Sequence, residues 1–140
     1  MNKIRVGDRF DTRFSLNRDE VDEFRRLSGD TNQIHYSADA ASKSAIGAQA
    51  VRSVHGMHAA LIFTRILGTQ FPGDGTVYRS LTIEFEEPIF IQTEYVAEVS
   101  VLSVDRKRHR ARLLTVIRDL SEPDKTRLFG TALVIHEDKF

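Results

Sequence analysis

The segment from Val54 to Leu67 constrains the fold more than any other part of this sequence. It is apolar on almost all sides and contains no glycine or proline after Gly56. A helix of about 14 residues is roughly 21 Å long, and a helix that is apolar all round is usually surrounded by protein. We therefore predict a central helix that is surrounded by protein.

The sequence changes from helical to strand periodicity after the turn at 71–75. Residues 77–85 alternate between apolar and polar side chains, which is typical of a strand with one buried face. We place Tyr78 with the polar residues on one face, opposite an apolar face formed by Val77, Leu81, Ile83 and Phe85. Further strands are predicted at 94–104, 110–120 and 127–136.

A long apolar helix followed by antiparallel strands can bury its surface when the sheet curls around it. The sequence therefore predicts an α+β fold of the hotdog type, a curled antiparallel sheet wrapped around a long central helix. The exposed edge strand of such a sheet can be covered by a second copy of the chain. We accordingly expect a homodimer.

The first third of the chain is predicted to be mostly helical. After an extended segment at 8–14, Asn17 can cap a helix that ends at Gly29. Its predicted core stripe is Val21, Phe24 and Leu27. A short alanine-rich helix at 37–44 and an irregular loop at 45–53 lead to the central helix.

Composition excludes several classes of function. A length of 140 residues indicates one domain, spanning 1–140. With no cysteine, the chain has neither disulfides nor a thiol nucleophile, which is typical of the cytoplasm. The net charge of +0 provides no overall attraction to nucleic acid or to an anionic membrane. We find no signal peptide and no apolar run near the roughly 20 residues that span a bilayer.

The polar stretch 30–35 contains the best candidates for chemistry. Asp30 and His35 lie five positions apart on a predicted loop, where they can turn toward one point. An imidazole can exchange a proton near pH 7, and a carboxylate can orient it or hold a water. The alternative is that Asp30 and Asn32 only form turns, with His35 beginning the next helix.

The start of the central helix is a second candidate site. The first backbone N–H groups of a helix have no partner within it. At Gly56, such a group can stabilise a carbonyl oxygen that gains negative charge, as in an oxyanion hole. The alternative is that Gly56 only allows the helix to pack closely on the sheet.

Together these motifs resemble those of a known family. Asp30, Asn32 and His35, followed by Val54-His55-Gly56-Met57 and an apolar helix, are similar to the MaoC-like (R)-specific enoyl-CoA hydratases. The resemblance implies reversible hydration of trans-2-enoyl-CoA to (R)-3-hydroxyacyl-CoA. It implies that Asp30 and His35 act as the acid and base, that Asn32 orients them, and that the Gly56 N–H polarises the thioester. No metal or cofactor is implied.

The chain departs from the family pattern at several positions. Gln33 and Arg52 replace prolines, and Leu61 stands where many members carry a small hydroxyl residue. We assign four residues near the helix start to substrate binding: His55, Met57, His58 and Leu61. For His58 the alternative is a partly exposed position at the dimer seam. His109 and His136 are interpreted as solvated surface groups.

Several alternatives stay open at this point. The carrier of the acyl group is expected to be coenzyme A, with acyl carrier protein as the alternative. The phosphates of coenzyme A are candidates for contact with Arg65, Arg79, Arg106 or Arg108. A hotdog thioesterase and a non-catalytic acyl-CoA-binding subunit are the rival functions. A zinc site at His55 and His58 is disfavoured because no third ligand has suitable spacing.

Overall fold

The computed structural model describes residues 2–140. In the first half of the chain, β1 (Arg9–Phe14) precedes α1 (Arg18–Ser28), α2 (Ala38–Ser42) and α3 (Gly56–Arg65). Short 3₁₀ turns at Gln33–His35 and Ala48–Arg52 flank α2, and one π-helical turn, Ile66–Gln70, continues α3. The second half contains four strands, β2 (Val77–Phe85), β3 (Tyr95–Asp105), β4 (Arg110–Asp119) and β5 (Thr126–Ile135).

The strands form one antiparallel sheet in the order β1-β3-β4-β5-β2. Side chains on its inner face alternate with outward-facing ones, so that Leu113 and Ile117 of β4 are fully buried. They belong to one apolar cluster with Phe63, Ile66 and Leu67 of the central helix. The predicted α+β hotdog arrangement, a curled sheet around a helix, is confirmed.

The caps of α1 agree with the sequence pattern, but its predicted core stripe is too wide. The Asn17 side chain accepts a hydrogen bond from the N–H of Glu20, and Gly29 ends the helix with a left-handed φ of 75°. Val21 is fully buried, whereas Leu27 is 74% exposed. The prediction for Leu27 was wrong because α1 contacts the body of the protein along a narrow line.

The central helix is not covered on all sides within one chain. Ala59 and Phe63 are buried, but Met57 and Leu61 are 53% and 44% exposed. Apolar periodicity indicates that a surface is buried and does not say which chain buries it. The single chain therefore buries the central helix on several sides and leaves the face of Met57 and Leu61 exposed.

A bulge in β2 corrects the predicted arrangement of its faces. The pairing with β5 shifts between Tyr78 and Ser80, so that Tyr78 lies opposite Val134 and Leu81 lies opposite Ala132. Directly paired residues share a face, and both β5 residues are buried. The extra residue thus places Tyr78 on the face of Leu81, and Val77 on the other face.

The two histidines near the end of the sheet differ in their surroundings. His109 is partly exposed, with Nε2 lying 3.7 Å from a carboxylate oxygen of Glu137. His136 is only 5% exposed, and its Nε2 donates a hydrogen bond of 2.8 Å to the carbonyl of Asp74. The surface assignment of His136 was wrong because the 71–75 turn folds over its ring.

Among residues 2–140, no helix combines the length and the apolar character needed to cross a membrane.

Candidate active site

The loop between α1 and α2 is folded by its own polar side chains. The N–H of Asn32 donates to Asp30 Oδ1 at 3.1 Å, and the N–H of Ile34 donates to Asn32 Oδ1 at 3.3 Å. Asp30 and Asn32 therefore do form the turns considered as the alternative. These turns also bring His35 inward, where it is 6% exposed. Asn32 acts on the loop backbone in this structure.

Arg18 of α1 anchors this loop from the other side. Its guanidinium donates to the carbonyl oxygen of His35 at 3.1 Å and to that of Val51 at 2.6 Å. A planar guanidinium with several fixed donors can join two backbone segments in this way. The segments before and after α2 are thus attached to one point on α1.

The imidazole of His35 has a defined orientation. Its Nδ1 lies 3.0 Å from the carbonyl oxygen of Ser53, which can only accept a hydrogen bond. Nδ1 therefore carries the proton, and Nε2 carries the lone pair that can accept another. Burial lowers the pKa of His35, and nearby His55 lowers it further, while the Ser53 carbonyl and Asp30 act in the opposite direction. The ring is consequently neutral near pH 7.

His55 connects the carboxylate loop to the central helix. Its Nε2 donates to the backbone carbonyl of Asp30 at 3.2 Å and lies 3.9 Å from the Asp30 carboxylate. Its ring centroid is 4.0 Å from that of His35. The Asp30 side chain, in contrast, is half exposed. The arrangement places one accessible carboxylate beside two buried imidazoles.

The start of α3 has the free donors that the sequence predicted. No side chain caps this helix, and its first internal hydrogen bond runs from the Ala59 N–H to the carbonyl of His55 at 3.1 Å. The N–H groups of 56–58 therefore have no partner within the helix. A Cβ on Gly56 would lie 2.8 Å from the Phe85 ring. The close packing considered as the alternative role of Gly56 is thus also present.

These features meet in one pocket of about 490 Å³. Its lining includes Asp30, Asn32, His35 and Gly56, together with His55 and Met57 of the predicted substrate-binding set. Apolar side chains form most of the remaining wall: Ile34, Ile46, Val54, Ala59, Phe85, Pro88, Ile89 and Leu128. A largely apolar cavity of this size with a few convergent polar groups is typical of a small-molecule site.

Two residues assigned to substrate binding lie outside this pocket. His58 and Leu61 line a smaller hollow of about 210 Å³ near the end of β1. His58 is buried, and its ring stacks on Phe24 with centroids 4.8 Å apart and an angle of 1°. Burial lowers the pKa of His58, and His55 adds to this effect. His58 therefore does not line the larger pocket, and it is buried rather than partly exposed because α1 packs over it.

A buried ion pair that was not predicted from the sequence lies behind the pocket. Arg127 forms two hydrogen bonds with the carboxylate of Asp119, of 2.6 and 3.0 Å, and a third with the carbonyl of Pro88 at 3.0 Å. Asp119 raises the pKa of Arg127. The opposite charges on either side of the 120–125 turn were the available signal. The pair holds the wall formed by 86–89.

None of the four arginines considered for phosphate contact lines the pocket of about 490 Å³. Arg106 donates to the carbonyls of Ile4 and Lys139, and Arg108 pairs with Asp105. Arg65 lines the smaller hollow. Within residues 2–140, no group of three or more His, Cys, Asp or Glu is placed to hold a metal ion.

Comparison with known proteins gives consistent matches. The family described as "MaoC like domain" matches residues 2–121. The 3-hydroxybutyryl-CoA dehydratase of Methylorubrum extorquens is 36% identical over 115 residues, or 82% of this chain and 69% of that protein. The (R)-specific enoyl-CoA hydratase of Aeromonas caviae is 36% identical over 98 residues, or 70% of this chain and 71% of that protein. The solved structure of the A. caviae (R)-hydratase has a TM-score of 0.84 at 30% identity, covering 95% of this chain and 97% of that one.

Proposed function

The chain belongs to the MaoC-like domain family, and we propose that it catalyses the reversible hydration of trans-2-enoyl-CoA to (R)-3-hydroxyacyl-CoA. One observation carries the proposal. A single pocket contains a carboxylate, an imidazole with its lone pair free, and an uncapped helix N-terminus. The names of the similar hydratase and dehydratase support the choice of an acyl-CoA substrate.

The proposed reaction adds water across the C2–C3 double bond. Asp30 and the Nε2 atom of His35 hold the water and remove one of its protons as its oxygen bonds to C3. The pair then returns a proton to C2, so that both groups end in their starting states. A neutral imidazole beside an accessible carboxylate suits this exchange, because one group accepts a proton while the other orients the water.

The helix N-terminus acts on the other end of the conjugated system. Bonding of oxygen to C3 moves electron density onto the thioester oxygen, which becomes an enolate. The N–H of Gly56 donates to this oxygen and, with the helix dipole, stabilises its charge. Removal of one such donor typically costs about 100- to 1,000-fold in kcat.

The proposed assembly is a homodimer. The exposed side chains of Met57 and Leu61 on α3, and of Leu81 and Phe85 on β2, are all large and apolar. β2 is also an edge strand of the sheet, with a free row of backbone groups. A second copy that covers this surface buries the helix face that one chain leaves open. The cytoplasmic location stays a prediction.

The experiment that tests the activity is a spectrophotometric assay with crotonyl-CoA. We expect loss of the enoyl absorbance, no release of free thiol, and (R)-3-hydroxybutyryl-CoA as the product. Release of free thiol together with crotonate, which keeps its double bond, would indicate a thioesterase and contradict the proposal. Binding without turnover of either crotonyl-CoA or a longer enoyl-CoA would indicate a non-catalytic subunit. Turnover of the enoyl-acyl carrier protein alone would refute coenzyme A as the carrier.

A further inference from the structure

Ser53 touches the imidazole of His35 with two different oxygen atoms. Nδ1 of His35 lies 3.0 Å from the Ser53 carbonyl oxygen and 3.1 Å from its hydroxyl oxygen. The Ser53 hydroxyl also lies 2.7 Å from the carbonyl oxygen of Ala50. Ser53 is 1% exposed, so water does not compete for these contacts.

Only one assignment of donors and acceptors satisfies these hydrogen bonds. Both carbonyl oxygens can only accept, so the proton of the hydroxyl goes to Ala50 and the proton of the imidazole lies on Nδ1. The lone pairs of the Ser53 hydroxyl then face the Nδ1–H group. His35 donates a three-centre hydrogen bond to the carbonyl and the hydroxyl of one residue.

We propose that Ser53 is a positioning residue for the hydration proposed above. Its hydroxyl helps to hold the Nδ1–H group of His35 and so aims the Nε2 lone pair into the pocket. The hydroxyl also stabilises the imidazolium that forms when Nε2 accepts a proton. The inference rests on the proposed function, which it deepens. In this arrangement His35 takes its orientation from Ser53, and Asp30 keeps its carboxylate accessible for water.

The backbone around Ser53 is held firmly enough for this task. Ser53 forms an isolated bridge with Phe90. The N–H of Val54 donates to the carbonyl of Ile89 at 2.8 Å, and the N–H of Ile91 donates to that of Arg52 at 3.0 Å. The ion pair of Arg127 supports the same wall through Pro88. The hydroxyl therefore stays in place in both protonation states of the imidazole.

Three other charged or titratable groups face His35. His55 and Arg18 lower its pKa and Asp30 raises it, in addition to burial, which lowers it most. None of them changes when the Ser53 hydroxyl is removed. Loss of an acceptor that favours the charged ring lowers the pKa of His35 further, so the acidic limb of the pH profile shifts to lower pH.

The matched control for Ser53→Ala is Ser44→Ala. Ser44 also donates its hydroxyl proton to the carbonyl three residues earlier, that of Ala41, at 2.7 Å. We expect Ser53→Ala to lose about three- to tenfold in kcat, the effect of one hydrogen bond, with little change in KM and with the acidic limb displaced. Ser44→Ala should keep the wild-type kcat and profile, and Ser53→Thr should recover part of the loss. Equal kcat and equal pH profiles in the two alanine variants would overturn the role of the hydroxyl.

The tautomer can be measured without any activity. In protein labelled with 15N-histidine, NMR with His35→Ala for assignment should show the neutral His35 ring protonated on Nδ1. An active enzyme whose His35 is protonated on Nε2 would overturn the inference. An inactive wild-type protein with His35 protonated on Nδ1 would instead refute the proposed function, so the two failures are distinguishable.

Discussion

Substitution of Gly56 by alanine separates the two roles that this residue has in the structure. The new Cβ would lie 2.8 Å from one ring atom of Phe85 and 3.0 Å from another, whereas ordinary contact begins at 3.4 Å. The ring or the start of α3 must therefore move by about 0.6 Å. The atoms that the new Cβ would meet lie on the ring of Phe85 and not on the backbone, so the ring can yield.

The expected effect on stability is small because two contributions oppose each other. Crowding in a packed region costs about 1–3 kcal/mol, and a yielding ring places this case at the lower end. Alanine in place of glycine in a helix contributes about 0.5–1 kcal/mol in the opposite direction. We expect the free energy of unfolding to change by less than about 1 kcal/mol.

The expected effect on turnover is much larger. A displacement approaching 1 Å at a reacting centre can cost about 100-fold, and loss of an oxyanion donor costs at least as much. Because alanine keeps its backbone N–H and the displacement is only about 0.6 Å, we expect a smaller loss, of about 30- to 100-fold in kcat for crotonyl-CoA. The assay pairs enoyl absorbance with urea unfolding of the same preparation.

A second variant strengthens this test. In Gly56→Ala combined with Phe85→Leu, the smaller side chain relieves the crowding, and part of the lost kcat should return. Wild-type turnover in Gly56→Ala, or a fall in kcat fully explained by unfolded protein, would refute the donor role. Gly56 would then serve only the packing of α3 against β2.

Further predictions concern the ion pair, pH and assembly. Asp119→Asn should lower the free energy of unfolding by about 3 kcal/mol, because Arg127 keeps a buried charge without its partner; a loss below about 1 kcal/mol in urea unfolding would contradict this. Burial lowers the pKa of His35 and of His58 below 6.5, so the unfolded chain binds more protons and stability should fall as the pH drops from about 7 to 5. His58→Phe should weaken that pH dependence of urea unfolding, and an unchanged slope would contradict the assignment. Leu61→Glu should convert the dimer to monomer in light scattering, whereas Leu27→Glu, on the exposed side of α1, should not; a dimer in both variants would contradict the proposed interface.

Local patterns in the sequence predicted the elements well, because each depends on neighbouring residues. The cap at Asn17, the left-handed Gly29 and the uncapped start of α3 at Gly56 are all set by short-range backbone chemistry. The bulge after Tyr78 was not predictable in this way. One extra residue in a strand does not change the local propensities, but it moves every side chain before it to the opposite face of the sheet.

Long-range contacts explain what the sequence did not predict at the site. Ser53 meets His35 across 18 positions through the fold of an irregular loop, which no periodicity describes. His58 shares the apolar spacing of α3, so its stacking on Phe24 depends on where α1 packs. The motifs containing Asp30, His35 and Gly56 pointed to one pocket because the family resemblance supplied the missing spatial information.

The hydration rate of crotonyl-CoA in Asp30→Asn and His35→Ala tests the central claim most directly. We expect each variant to keep the fold, as judged by circular dichroism, and to lose about 100- to 10,000-fold in kcat, the usual effect of removing a general acid or base. A folded variant of either residue that hydrates crotonyl-CoA at the wild-type rate would contradict the assignment of this pair to the reaction.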